Sequence, residues 1–240
     1  MKKVLLFIGS VIAGMALHSC SEDKLPLYDS GYQALNIAKG TVFGSAEDYP
    51  EEYSFNAYFL GGALGDYELA VPVRLQGTID SLHDRQYRVA VVDSATVGAV
   101  NGREFTLPQT QTFRRGHYQD SLRVTFHLSQ LSDTLSYRLR LALLPGDDFQ
   151  AGVPVYQWVD ILFTRNLSIA PAFWQNNSKL RKISYHPRKC AVFLEISGLT
   201  DPDWVDDGSS VILDYWISLC RQWFLTHEEY DEQGNRIYFN

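Results

Sequence analysis

Tyr137-Arg138-Leu139-Arg140-Leu141-Ala142-Leu143 alternates large apolar residues with charged or small ones without a break. A period of two puts successive side chains on opposite faces of a strand, so this run reads as a strand with one face buried and one wet. The pattern repeats on either side of it. Toward the N-terminus stand Leu122, Val124, Phe126 and Leu128, then Tyr87, Val89 and Val91, and before them Leu69, Val71, Val73 and Leu75. Toward the C-terminus, Val155, Val159, Ile161 and Phe163 close the series. The intervening segments carry turn chemistry: Gly61-Gly62, Asn101-Gly102, Arg115-Gly116 and Pro145-Gly146-Asp147-Asp148. Seven or eight short strands at this spacing, with no helical pattern between them, predict a mainly β fold. The expected architecture over residues 31–165 is an immunoglobulin-like antiparallel β-sandwich. Pro72 interrupts one of the strongest runs and predicts an edge strand, because its ring removes a ladder donor.

The pattern changes after Arg165, and residues 166–240 read as a small, largely helical region. Pro171 and Trp174 lie in a loop-like passage. Ser184-Tyr185-His186-Pro187 looks like a helix start, with proline in the first turn, and Gly198 like its stop; a short strand is the competing reading. A second helix is expected from Ser210 to Leu225, with Ile212, Tyr215, Trp216, Leu219, Gln222 and Trp223 near one face. The stretch from His227 to Asn240 ends Ile237-Tyr238-Phe239, a strand or a docked tail.

The opposite end of the chain carries an address. Met1-Lys2-Lys3 is followed by the uncharged stretch Val4–Leu17 and then by Leu17-His18-Ser19-Cys20. A basic start, an apolar core and a small residue before a cut form the layout of a secretory signal over residues 1–19. The apolar stretch is shorter than the roughly 20 residues a spanning helix needs. Leu-x-Ser-Cys resembles the bacterial lipobox, which implies a lipid on Cys20. Several acyl chains would give stable anchoring at about 0.8 kcal/mol per buried methylene. Residues 20–30 then form a tether whose acidic start, Ser21-Glu22-Asp23, resembles the surface-export signal of Bacteroidota lipoproteins. That resemblance implies an outer-membrane protein facing the cell exterior.

Composition narrows the partners. The formal charge is −7, and removal of Lys2 and Lys3 with the signal makes the mature chain more acidic still. There is no basic run, so nucleic-acid binding has no electrostatic support. With 45% hydrophobic and 13% aromatic residues, the chain is a folded globular protein and not a disordered stalk. Beyond Cys20 only Cys190 and Cys220 remain. Two cysteines could pair in an oxidising compartment, but they do not make a disulfide framework.

No catalytic motif stands out. There is no Gly-x-Ser-x-Gly elbow, no His-Glu-x-x-His and no phosphate-cradling glycine loop, and the histidines are scattered without metal-ligand spacing. Neither cofactor nor metal is expected. The run Asp201-Pro202-Asp203-Trp204-Val205-Asp206-Asp207 is rich in carboxylates, but Val205 and Ile212 occupy positions where a calcium-binding EF-hand needs ligands. It reads as a solvated turn. Of the five tryptophans, Trp158, Trp216 and Trp223 fall on strand or helix stripes and read as core. Trp204, in the polar loop, is the one expected to be exposed, as a sugar platform or as a loop anchor. Asp80-Ser81-Leu82, Asp93-Ser94-Ala95, Asp120-Ser121-Leu122 and Asp133-Thr134-Leu135 are similar to the O-glycosylation acceptor motif of exported Bacteroides proteins; Asp-Ser turns give the same letters.

Longer segments carry a family resemblance. These are Ser94-Ala95-Thr96-Val97-Gly98, Gly102-Arg103-Glu104-Phe105-Thr106-Leu107-Pro108, Thr112-Phe113-Arg114-Arg115-Gly116, Leu139-Arg140-Leu141-Ala142-Leu143, Phe149, and Pro171-Ala172-Phe173-Trp174. Through them the chain resembles a Bacteroidota surface-lipoprotein family of unknown function. Its genes stand beside starch-utilisation-type pairs of a TonB-dependent transporter and a substrate-binding lipoprotein. The first three segments also resemble Calx-β sandwich domains. There an aspartate and a tyrosine usually stand where this chain has Glu104 and Phe105, which weakens any transfer of calcium binding. The resemblance implies a non-catalytic accessory component of a glycan-uptake system, binding a glycan or the transporter complex. An adhesive or structural module is the alternative, and a hydrolase with dispersed carboxylates a further one.

Overall fold

The computed structural model describes residues 31–61, 64–206 and 211–240. The expected signal peptide, Cys20 and the acidic tether lie outside the described residues. No helix among the described residues is long and apolar enough to cross a membrane.

Among the described residues, ten strands form two five-stranded sheets facing each other. They are β1 (Ala34–Ile37), β2 (Glu52–Asn56), β3 (Asp66–Gln76), β4 (Arg85–Val91), β5 (Phe105–Thr106), β6 (Thr110–Phe113), β7 (Gln119–His127), β8 (Ser136–Leu144), β9 (Gln150–Ala151) and β10 (Trp158–Thr164). One sheet has the order β5-β7-β3-β1-β9, the other β2-β10-β8-β4-β6. The fold is thus a β-sandwich, as the alternation required. Leu69, Val71 and Val73 of β3 face Leu139, Leu141 and Leu143 of β8 across a core that also holds Phe105, Phe126 and Phe163. Phe126 stands edge-on to Phe163, with ring centroids 4.7 Å apart.

Three features depart from the sequence expectation. First, β3 is a central strand, so Pro72 is not at an edge. Its carbonyl accepts from Ala38 N at 2.9 Å, one residue past the last β1 pair, Ile37 with Val73. The N and C=O of one antiparallel residue face the same neighbour, so the missing donor falls where that ladder is already ending. Second, two pairings are parallel, β1 with β9 and β2 with β10. Third, Val155 lies in a short 3-10 turn and is 57% exposed; the last strand begins at Trp158.

Three helices follow: α1 (Ala172–Asn176), α2 (Pro187–Ser197) and α3 (Val211–Thr226). The loop-like passage around Trp174 is therefore a short helix. The second helix settles the competition between helix and strand for its local reasons. His186, in extended backbone, accepts from Arg188 N through its side chain, and Pro187 fills the first turn. Gly198 ends the helix in the left-handed conformation (φ 68°), donating to Leu194 O at 2.9 Å. Along α3 the buried residues are Leu213, Ile217, Cys220 and Phe224. This stripe is rotated by about one residue from the expected face: Ile212 and Tyr215 point to solvent, while Trp216, Leu219 and Trp223 flank the stripe half-buried. Apolar residues on two adjacent rows make either rotation consistent with the period.

These helices and the final segment bury a second core. Trp174 stands edge-on to Tyr185, Phe193 and Phe239, and Phe239 stacks on Phe224. The C-terminal tail is docked through Ile237 and Phe239. Cys190 and Cys220 are both buried in this core as free thiols, unpaired with each other. Burial pushes each thiol up to about 12.

Candidate functional site

The two cores meet along a cleft of about 500 Å³. Its sandwich wall is the turn after β2, with Tyr58, the turn before β8, with Asp133 and Thr134, and the segment leaving β10, Arg165 to Ser168. The helical wall is the start of α2, with His186 and Arg188. A tight turn of the tail, Tyr230 to Gln233, closes the third side. A volume of this size at a junction of substructures is typical of small-ligand sites.

Most of the polar groups in the wall are fixed by neighbours. Arg165 grips Asp133 with two parallel bonds of 2.7 and 3.0 Å and gives a third to Ser129 O. Asn166 donates to Thr134 O and accepts from Ser168 N. Arg188 donates Nε and Nη2 to Glu229, at 2.9 and 2.8 Å. The Asp231 carboxylate is held below its ordinary range by Asn235 and the Gln233 N–H, and these bonds shape the turn. The Tyr58 hydroxyl is pushed up to about 12, first by burial and then by the Asp133 carboxylate.

His186 has two tasks here. Its Nδ1 caps α2, so the neutral ring carries its proton on Nε2, and it also lines the cleft. Burial, and then the Lys189 ammonium, hold its pKa below the ordinary 6.5. Glu232, in contrast, makes no ion pair or hydrogen bond among the described residues. The cleft thus combines two tyrosines, a set of polar groups held in place, and a few groups left free to bond a guest.

Trp204 is not the exposed platform expected from sequence. It is half-buried, packed edge-on to Trp216 with ring centroids 6.0 Å apart, and acts as an anchor for its loop. Trp158 is covered by cations: Lys39 Nζ lies 3.6 Å and the Arg140 guanidinium 4.0 Å from its ring centroid. Glu104 is buried and committed to Val100 N and Arg103, so it holds a turn together. Of the four Asp-(Ser/Thr) motifs, those at Ser81, Ser94 and Thr134 lie in exposed turns, whereas Ser121 is inside β7 opposite Pro72.

A second polar assembly lies on the outer face of the first sheet. Asp66 Oδ1 and His127 Nδ1 are 2.8 Å apart, and His127 Nε2 and Thr106 Oγ1 also 2.8 Å. Asp66 and His127 are direct partners across β3 and β7. Of the donors in the shallow depression beside them, Gly102 N–H is committed to Phe105 O and Arg103 to Glu104. Among the described residues, no group of three or more His, Cys, Asp or Glu side chains could hold a metal ion.

Fold and cleft define a class: a β-sandwich module with a helical cap and a mixed polar and aromatic cleft at their junction. By sequence, residues 46–199 match the family described as "Domain of unknown function (DUF4843)", and the chain belongs to that family. No curated protein matches it. Among solved structures it is similar to a candidate carbohydrate binding protein from Bacteroides ovatus, at 14% identity and a TM-score of 0.39, covering 58% of this chain and 39% of that one. A Bacteroides ovatus protein of unknown function gives 15% and 0.38, covering 56% and 44%. CBD12 from CALX1.2 gives 16% and 0.33, covering 56% and 45%. The chain therefore spans less than half the length of each of these three structures.

Proposed function

We propose that this protein is an outer-membrane lipoprotein, held by a lipid on Cys20 and facing the cell exterior, that serves a glycan-uptake system as a non-catalytic binding component. The observation that carries the reading is the junction cleft, which Tyr58 and Tyr230 line beside hydrogen-bonding groups whose positions are already set. Saccharide rings offer a C–H face and a rim of hydroxyls, and a wall of this kind complements both. Preorganised polar groups lose little freedom on binding. The lipobox-like Leu17-His18-Ser19-Cys20 and the acidic tether support the address.

Affinity electrophoresis of the mature chain through gels containing plant and host polysaccharides tests the reading. Retardation by at least one glycan, abolished in Tyr230→Ala, is the expected result. Uniform failure, together with self-association or capture of the transporter, would favour the adhesive or assembly role. The anchor is tested separately: Cys20→Ala should leave the outer-membrane fraction, and its continued presence there would overturn the lipid tether.

A further inference from the structure

Ligand charge follows from how the cleft spends its cations. Recognition of a carboxylate or sulfate ordinarily needs a guanidinium fork free to bond it. Both arginines in this cleft are already taken: Arg165 by Asp133 in a two-pronged pair, and Arg188 by Glu229. The carboxylates of Asp133, Asp231 and Glu232 line the same cavity, and Glu229 stands behind Arg188. Negative groups thus outnumber positive ones, and Glu232 makes no ion pair or hydrogen bond among the described residues. His186 presents a neutral N–H, a donor suited to a hydroxyl.

Resting on the binding reading above, we propose that the cleft selects uncharged saccharides and excludes acidic ones. An acidic sugar would set its charge against unneutralised carboxylates in a partly water-excluded site, and juxtaposed like charges suppress wrong partners at such surfaces. A neutral sugar meets a lining of Tyr58, Tyr230, His186, Ser168 and Gln233 with no charge of its own to compensate.

The experiment compares neutral polysaccharides (laminarin, mannan, xyloglucan) with acidic ones (polygalacturonate, a sulfated galactan) by calorimetry at fixed ionic strength, on the mature chain and on Glu232→Lys. The wild-type chain should bind at least one neutral polysaccharide and bind the acidic panel at least about tenfold more weakly. Glu232→Lys, on an exposed turn, should narrow that gap by placing a free ammonium in the cleft. Equal or tighter binding of an acidic polysaccharide by the wild-type chain would overturn the charge selection and leave the binding reading standing. Binding of neither panel would remove the binding reading itself, and this inference with it.

Discussion

The two cores of this chain are ordered by different means. In the sandwich, ladder hydrogen bonds fix the backbone and the side chains fill the space between the sheets; β3 alone pairs over nine residues with β7. In the cap, α1 is only five residues long, and among the described residues the segments joining the helices form no strand ladder. Order there comes from side chains. The rings of Phe173, Trp174, Phe193, Phe224 and Phe239 interlock, and polar groups tie down the connecting backbone. Asn177 Oδ1 accepts from Lys179 N and Leu180 N. The buried Lys189 ammonium donates to Ser184 O and Oγ, and burial lowers its pKa. A ladder spreads its stability over many equivalent bonds, whereas the cap depends on a few individual residues.

Core truncations should expose this contrast most strongly. Phe126→Ala, in the sandwich, should cost about 3–5 kcal/mol and lower the urea midpoint seen by both far-UV circular dichroism and tryptophan fluorescence. Phe224→Ala, in the cap, should cost a similar amount in fluorescence, since Trp174, Trp204, Trp216 and Trp223 all report on that core. It should leave the β signal near its wild-type midpoint. Coincident shifts in both variants would show that the two cores unfold as one.

Next in size is Asn177→Ala, which strips two backbone N–H groups of their acceptor. A loss of about 1–3 kcal/mol in the fluorescence transition is expected. The sandwich has a counterpart in Asp120, whose buried carboxylate accepts from Arg114 N and Ser121 N, but there the neighbouring ladders share the load.

The pH response should be a smaller effect, specific to the cap. Because the folded state lowers the His186 pKa, the unfolded chain takes up the proton first. The stabilisation is complete above the ordinary value of 6.5 and is lost as pH falls through the folded value. Urea midpoints from about pH 5 to 8 should therefore fall on the acid side in fluorescence. His186→Asn, which keeps a capping side chain but cannot titrate, should flatten that slope. An unchanged slope would remove His186 from the account.

Two glycines give the finest comparison. Gly198 in the cap and Gly98 beside the sandwich share left-handed backbone, with φ of 68° and 76°. A Cβ on Gly198 meets nothing within 4 Å, whereas one on Gly98 comes within 3.2 Å of the Tyr137 ring. Gly198→Ala should cost about 1 kcal/mol from backbone strain alone, and Gly98→Ala measurably more. Equal losses by denaturant titration would mean that Tyr137 moves aside freely.

The same contrast governs what could be read in advance. Alternation told which residues of β3, β7, β8 and β10 face inward, because a period of two is a statement about faces. It carries no information about partners, so the parallel pairings of β1 and β2 and the central place of β3 were hidden. The caps of α2 were legible in His186-Pro187 and Gly198 because capping is local. The stripe on α3 was not, since apolar residues fill neighbouring rows and only packing selects between them. The cleft was invisible for a further reason. Tyr58, Asp133, Arg165, His186 and Tyr230 come from five separate segments, and no short window contains two of them. Trp204 misled because a polar loop says nothing about the ring of Trp216 waiting beneath it.

The placement of sulfur makes the molecule its own reporter. Both core cysteines, Cys190 and Cys220, belong to the cap, and residues 33–165 contain none. Burial pushes each thiol up to about 12, which keeps it protonated at neutral pH, and the same burial denies reagents access to it. Alkylation then proceeds only when the cap opens. In the regime where closing outpaces modification, its rate gives the opening equilibrium of that half alone, while the sandwich stays silent. A bound guest that braces the junction would slow the reaction, so one thiol-reactive dye can read both the cap's local unfolding and ligand occupancy without any engineered label.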